Sequence, residues 1–147
     1  MTAARHPDAR VDRVIALFEG LTPTDLERLG EFYATDCRFK DPFNEITGVP
    51  AIRGVFAHMY RALDEPRFVV RAAIAEGSQC FLTWDFLFRF KRYSREPQCV
   101  RGGSHLVFDN TGRITLHRDY WDAAEELYEK LPAVGALMRW LKRQASR

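Results

Sequence analysis

Between Arg67 and Trp121 the chain consists of four β-branched and aromatic runs with little between them but turns: "RFVVRAAIAE", "QCFLTWDFLFRFKR", "CVRGGSHLVF" and "RITLHRDYW". Val, Ile, Thr, Phe and Trp suit a pleated, half-buried surface. Gly77-Ser78 and Asn110-Thr111-Gly112 are turn signals, and "YSREP" makes a wider link. Links this short leave no room for the crossover that parallel neighbours need, so they favour an antiparallel, strongly curved meander. Everything else in the chain has to cover a face of that sheet.

The segments before it read as helices. Val11, Val14, Ile15, Leu17 and Phe18 recur at helical spacing from Ala9 to Glu19, Gly20 ends the run, and residues 1–8 read as a loose tail. Thr22 or Thr24 can cap a second helix, with Pro23 in its first turn, running through Leu26 and Leu29 to about Tyr33. "CRFKDPFNEITG" is a short strand at most, broken by Pro42 and turned at Gly48. Val49 to Leu63 carries Ile52, Val55, Phe56, Met59 and Tyr60 on one stripe of a third helix. After the sheet, Asp122 can cap a helix through Leu131 that is interrupted at Pro132 and resumes to Gln144. Leu137, Met138 and Leu141, with Arg139, Lys142 and Arg143, make this last stretch amphipathic and basic. Alone it could lie on an anionic membrane surface; a lid over residues 122–144, closing the open end of the sheet, is the expected use. The sum is one α+β domain over residues 1–147, its curved antiparallel sheet wrapped on helices into a cone with a ligand-sized cavity.

Composition narrows the function classes. Twenty-two basic against 20 acidic residues leave a net charge of +2, too small and too evenly spread for a nucleic-acid surface. No apolar run approaches the roughly 20 residues that span a bilayer, so no membrane insertion is expected. The first ten residues are polar, and no secretory leader is expected. Cys37, Cys80 and Cys99 are odd in number and lack metal-ligand spacing, which points to reduced thiols in a cytoplasm.

The last strand raises the functional question. A strand sends alternate side chains to opposite faces, so His117, Asp119 and Trp121 share one side while Leu116, Arg118 and Tyr120 share the other. If the first side faces a cavity, an imidazole, a carboxylate and an indole meet there.

The element order, with "FYATDCRFKDPF…G…AIRGVF" and "GRITLHRDYWD", resembles the nuclear transport factor 2-like superfamily, which includes SnoaL-like proteins, ketosteroid isomerase and limonene epoxide hydrolase. The resemblance spans nearly the whole chain and implies a cystatin-like α+β barrel. It implies that Asp41, before Pro42, takes the place of the isomerase's proton-moving base. The isomerase's oxyanion-hole tyrosine falls near Ile15 or Ala16, and its protonated aspartate falls on Ser104, so the hole is absent. The "RDYWD" motif implies that Asp119 matches one aspartate of the epoxide hydrolase. Its partner aspartate falls on Asp85, the arginine between them becomes Thr83, and the water-holding asparagine falls near Asp41.

The resemblance thus turns the Asp119 side inward and places Thr83, Asp85 and Leu87 on the cavity side of their strand. Asp41, Asp85 and Asp119 would converge with His117. Such carboxylates cannot all stay ionised in an apolar site, so one would serve as acid and another as base. Ser104, Trp121, Phe56 and Tyr33 complete the expected pocket. Each residue also has a plainer role: Asp41 in a local turn, Asp119 paired with Arg118 or Arg101, Asp85 or His117 as satisfied core groups. His58 lies near the expected cavity mouth, and His105 faces away with Val107. Trp84, Phe86, Phe88 and Phe90 fall on the face away from Asp85, either packing in the sheet or joining two copies, and a homodimer through that face is expected. The function expected first is binding of a small, largely apolar molecule. Cofactor-independent epoxide hydrolysis or ketosteroid-type isomerisation comes second and a scaffold third; no cofactor or metal is expected.

Overall fold

Asp8 starts the first helix: its carboxylate accepts from Arg10 N–H at 3.0 Å and capping begins α1, Ala9–Gly20. A computed structural model describes residues 5–91, 95–126 and 132–146. Val11, Val14, Ile15, Leu17 and Phe18 of α1 are all buried, as their spacing requires. Within the expected tail over residues 1–8, Arg5 makes contacts with the first helix and with Val70. Asp12 Oδ1 accepts from Arg5 N–H at 2.5 Å, and the Arg5 guanidinium pairs with Glu19 and donates to the Val70 carbonyl. Residues 1–4 lie outside the described residues.

Pro23–Glu31 is helical but wound as a 3₁₀ segment, capped through Thr22 and Asp25, and it ends before Tyr33. Tyr33 instead opens β1, Tyr33–Lys40. The short strand expected from Cys37 is thus longer at its start, and Arg38 points outward between buried Cys37 and Phe39. β2 (Glu45–Thr47) pairs back on it, and α2 (Val49–Ala62) follows Gly48, whose φ of +97° suits a residue without Cβ. Then comes the expected meander: β3 (Leu63–Glu76), β4 (Gln79–Phe90), β5 (Gln98–Phe108) and β6 (Ile114–Tyr120), paired antiparallel in sequence.

The full sheet has six strands in the order β2-β1-β6-β5-β4-β3, and β1 runs parallel to β6. It is therefore mixed rather than purely antiparallel. The parallel pair is possible because the whole of α2 and the meander separate β1 from β6 in sequence. Register shifts interrupt β1–β6, β3–β4 and β5–β6, one of them at Glu65, a non-glycine with φ of +51°. Such bulges bend a strand and strengthen its twist, which curls this sheet around α1 and α2 into the expected cone.

Alternation along β4 runs opposite to the expected phase. Cys80, Leu82, Trp84 and Phe88 are buried, whereas Phe81 and Thr83 are exposed. The row Trp84, Phe86, Phe88 and Phe90 therefore faces the interior and is not an outer interface. Burying four rings removes far more apolar surface from water than burying Thr83, Asp85 and Leu87, so area decides the phase.

The C-terminal segment begins as expected. Asp122 does cap a helix, accepting from Glu125 N–H at 3.1 Å, and α3 spans Ala123–Glu126. Its extension to Leu131 lies outside the described residues, and α4 runs Pro132–Ala145. Arg101 Nε donates to Glu126 Oε1 at 3.0 Å, and Glu126 is buried. Arg101 pairs across the ladder with Asp85, so this bond ties α3 to β5. α4 leaves Leu137, Trp140 and Leu141 exposed, and none of its described residues lines the cavity. Among the described residues no helix is long and apolar enough to cross a membrane.

Two measurements test this packing. Leu82 is fully buried in the sheet's inner layer, so Leu82→Ala should lower unfolding free energy in urea by about 2–5 kcal/mol. Burial also pushes the Cys37 thiol up to about 12 and the Cys80 thiol up to about 11, from an ordinary 9.0. A pKa raised by folding contributes stability that is complete below the unfolded value and lost as pH rises through the folded one. Stability should therefore fall between about pH 9 and about pH 12, and a Cys37→Ala/Cys80→Ala variant should show a shallower alkaline limb in the same titration.

Candidate functional site

The inner face of β6 delivers His117 and Asp119 to the cavity, and β5 places Ser104 directly opposite Asp119. A continuous set of hydrogen bonds joins them. Trp84 Nε1–H, which can only donate, donates to Ser104 Oγ at 2.9 Å. The Ser104 hydroxyl donates to Asp119 Oδ1 at 2.5 Å. His117 Nε2 lies 2.7 Å from the same oxygen, and Nδ1 lies 2.8 Å from the Tyr33 hydroxyl. A carboxylate accepts only, so Nε2 carries the proton; in the neutral ring Nδ1 then accepts from Tyr33 O–H. Burial, reinforced by the negative charge of Asp119 and then by Cys37, raises the Tyr33 phenol well above its ordinary 10.0 and keeps it a donor.

The imidazole is fixed by packing as well. Its centroid lies 4.7 Å from that of Phe39, 5.6 Å from Phe18 and 5.8 Å from the Tyr33 ring, which stacks on it. Both hydrogen bonds to Asp119 fall on Oδ1. Oδ2 receives none among the described residues, although the carboxylate lines the cavity.

Asp41 lines the cavity too, but its carboxylate is engaged locally. Its Oδ1 accepts from Phe43 N–H at 2.8 Å, Asn44 N–H at 2.6 Å and Asn44 Nδ2 at 3.0 Å. This is the turn role that a residue before Pro42 suggests. Asp85 is not in the site. Its Oδ2 accepts from Arg71 Nη2 at 2.7 Å and Nε at 2.9 Å on the outer face of the sheet, and Thr83 is exposed beside it. The expected triad of carboxylates is thus not assembled, and the reason is the phase of β4. Tyr33 backs His117 instead of lining the cavity, whereas Phe56, Ser104 and Trp121 do line it. His105 turns outward to Gln79, Arg101 binds Glu126, and Arg118 stacks on Tyr120 at 4.7 Å, leaving Asp119 to the pocket.

The cavity measures about 310 Å³, at the small end of ligand pockets. Ten of its 22 lining residues are Phe or Trp, and α2 adds Val55, His58 and Met59. Phe43 meets Trp121 edge-on at 5.5 Å. Among the described residues no cluster of His, Cys, Asp and Glu could hold a metal ion.

Two contributors escaped the sequence. Trp84 is part of the hydrogen-bonded floor, and Gly102 makes that possible: a Cβ there would lie 2.5 Å from the indole. The signal was present, since a Gly-Gly pair inside a strand marks close approach of another group.

Comparison with known proteins agrees with this architecture. No curated protein matches this sequence. A putative SnoaL-like polyketide cyclase from Jannaschia superposes with a TM-score of 0.71 at 17% identity, covering 84% of this chain and 94% of that one. A hypothetical protein of ketosteroid isomerase-like fold from Catenulispora acidiphila, solved in complex with trimethylamine, gives 0.70 at 20% identity over 83% and 92%. An epoxide hydrolase from M. tuberculosis, like limonene epoxide hydrolase, gives 0.63 at 16% identity over 80% and 83%. These likenesses establish the fold. The SnoaL-like domain profile matches residues 14–117, from within α1 to His117 in β6, and the chain belongs to the SnoaL-like domain family.

Proposed function

We propose that this chain binds a small, largely apolar molecule in its aromatic cavity and anchors it through Asp119. One observation carries the reading: a carboxylate held by Ser104 and His117 through one oxygen keeps its other oxygen for whatever fills an otherwise apolar space. The Asp119 side chain keeps 17% of its surface exposed while it lines the cavity, so Oδ2 is open to a ligand there. That the Catenulispora neighbour was solved with trimethylamine, small and mostly apolar, accords with a ligand of this kind.

Turnover is the second reading. Asp119 Oδ2 has the position of a general base, and the fold is shared with an isomerase-like protein and an epoxide hydrolase. Against it, Asp85 is tied to Arg71 outside the cavity, and no Lys or Arg among the described residues lines the site to stabilise a developing oxyanion. Binding therefore comes first, with acid/base chemistry of a hydrolase or isomerase type resting on Asp119 and the cavity-lining His58.

The test uses Trp84 and Trp121 as internal reporters, since both line the cavity. In a screen of enones, epoxides and lactones, wild type should show saturable quenching, and Asp119→Asn should weaken it by about tenfold or more, the worth of about 1.4 kcal/mol. The same variant should lose about 1–3 kcal/mol of stability, because two charge-assisted hydrogen bonds become neutral. Loss of stability with unchanged binding would reduce the network to a structural clamp. Gly102→Ala probes the floor without touching a polar group. The added Cβ must displace the Trp84 indole from Ser104, so the Trp emission maximum should shift and ligand affinity should fall even though Asp119 is intact.

A further inference from the structure

We propose that the molecule this cavity selects carries one positive charge: a small tertiary or quaternary ammonium on an apolar body, with its nitrogen facing Asp119. The inference rests on the binding reading above and names its ligand class. It starts from a census of charge. Among the described residues the cavity is lined by two carboxylates, Asp41 and Asp119, and by no Lys or Arg; its other titratable liners are His58 and His117. The Asp41 carboxylate is already bonded to the N–H groups of Phe43 and Asn44. The cations nearest in sequence are turned to other tasks: Lys40 pairs with Glu45, and Arg118 stacks on Tyr120. Both carboxylates give the cavity negative charge, and Asp119 Oδ2 is the oxygen that receives no hydrogen bond among the described residues.

The walls point the same way. Aliphatic side chains would serve a neutral ligand as well as rings do, yet rings outnumber them here, ten against Val55, Met59, Ala62, Leu63, Val70 and Val100. What a ring face adds over an alkyl group is attraction for a cation, strongest for the indole, and Trp84 and Trp121 are both present. The alternatives fare worse. A neutral ligand without a hydrogen-bond donor strips water from Oδ2 and returns no partner, and a neutral donor returns a hydrogen bond but leaves the charge unpaired. An anion meets like charge in a site of low dielectric. An alkylated ammonium replaces the lost water by an ion pair and lays its methyl groups against the rings, which matches both features at once.

Two probes of one shape separate charge from burial: phenyltrimethylammonium, and tert-butylbenzene, in which carbon replaces the nitrogen. Titrated against the full chain and followed by Trp quenching, wild type should bind the ammonium at least about tenfold more tightly than its carbon isostere. In Asp119→Asn the ratio should fall to about one or below, and Asp119→Glu should restore part of it. Circular dichroism and a thermal melt establish that each variant is folded. Equal or tighter binding of tert-butylbenzene by wild type overturns the inference of charge and leaves the binding reading standing. A preference for the ammonium that survives in Asp119→Asn overturns the role given to Asp119. Absence of quenching by either probe overturns this inference, and the screen of enones, epoxides and lactones decides the binding reading separately.

Discussion

A carboxylate inside an apolar cone is the constraint on which the site depends. Left unbonded it would be too costly to bury as an ion. The fold supplies its donors from separate strands: Ser104 from β5, His117 from β6, with Trp84 of β4 and Tyr33 of β1 behind them. No two of these four partners are neighbours in sequence, so the network exists only when the sheet is closed in its observed register. The parallel pairing of β1 with β6 sets Phe39 beside His117 and brings Tyr33 to the imidazole. The antiparallel pairing of β5 with β6 sets Ser104 against Asp119. Fold and site are one arrangement here.

The aromatic face of β4 plays the complementary part. Phe68 stacks on Phe86 at 4.6 Å and meets Trp84 edge-on at 5.4 Å, so rings from β3 and β4 brace each other while they wall the cavity. Trp84 can lie flat only over a residue without a side chain, and Gly102 is its cross-strand partner. A position that is weak in isolation, glycine within a strand, thereby becomes the seat of the largest ring in the sheet.

The same fold serves an epoxide hydrolase-like protein and a putative polyketide cyclase at identities below one in five. Backbone architecture at that distance says where a cavity lies and little about what enters it. In this chain the acid pair expected from the epoxide hydrolase is divided between the two faces of the sheet. The chemistry must then be argued from Asp119, His117, Ser104 and the rings around them.

Much of this was legible in the sequence. Four strand-like runs with two-to-five-residue links dictate an antiparallel meander, because short connections allow nothing else. The stripe from Val11 to Phe18, the cap at Asp122 and the alternation that sets His117 and Asp119 on one face are local patterns, and local geometry realises them. Alternation alone, however, says which residues share a face and not which face turns inward. On β4 that choice was made by the apolar area of Trp84, Phe86, Phe88 and Phe90, and it sent Asp85 to Arg71 and the solvent. Where the second helix gave way to the strand Tyr33–Lys40 was decided by a partner strand some 80 residues away, and α3 is tied to β5 by the bond between Arg101 and Glu126. Periodicity resides within a segment; phase, partner and the final position of a charge are settled only when segments compete to bury their surfaces against one another.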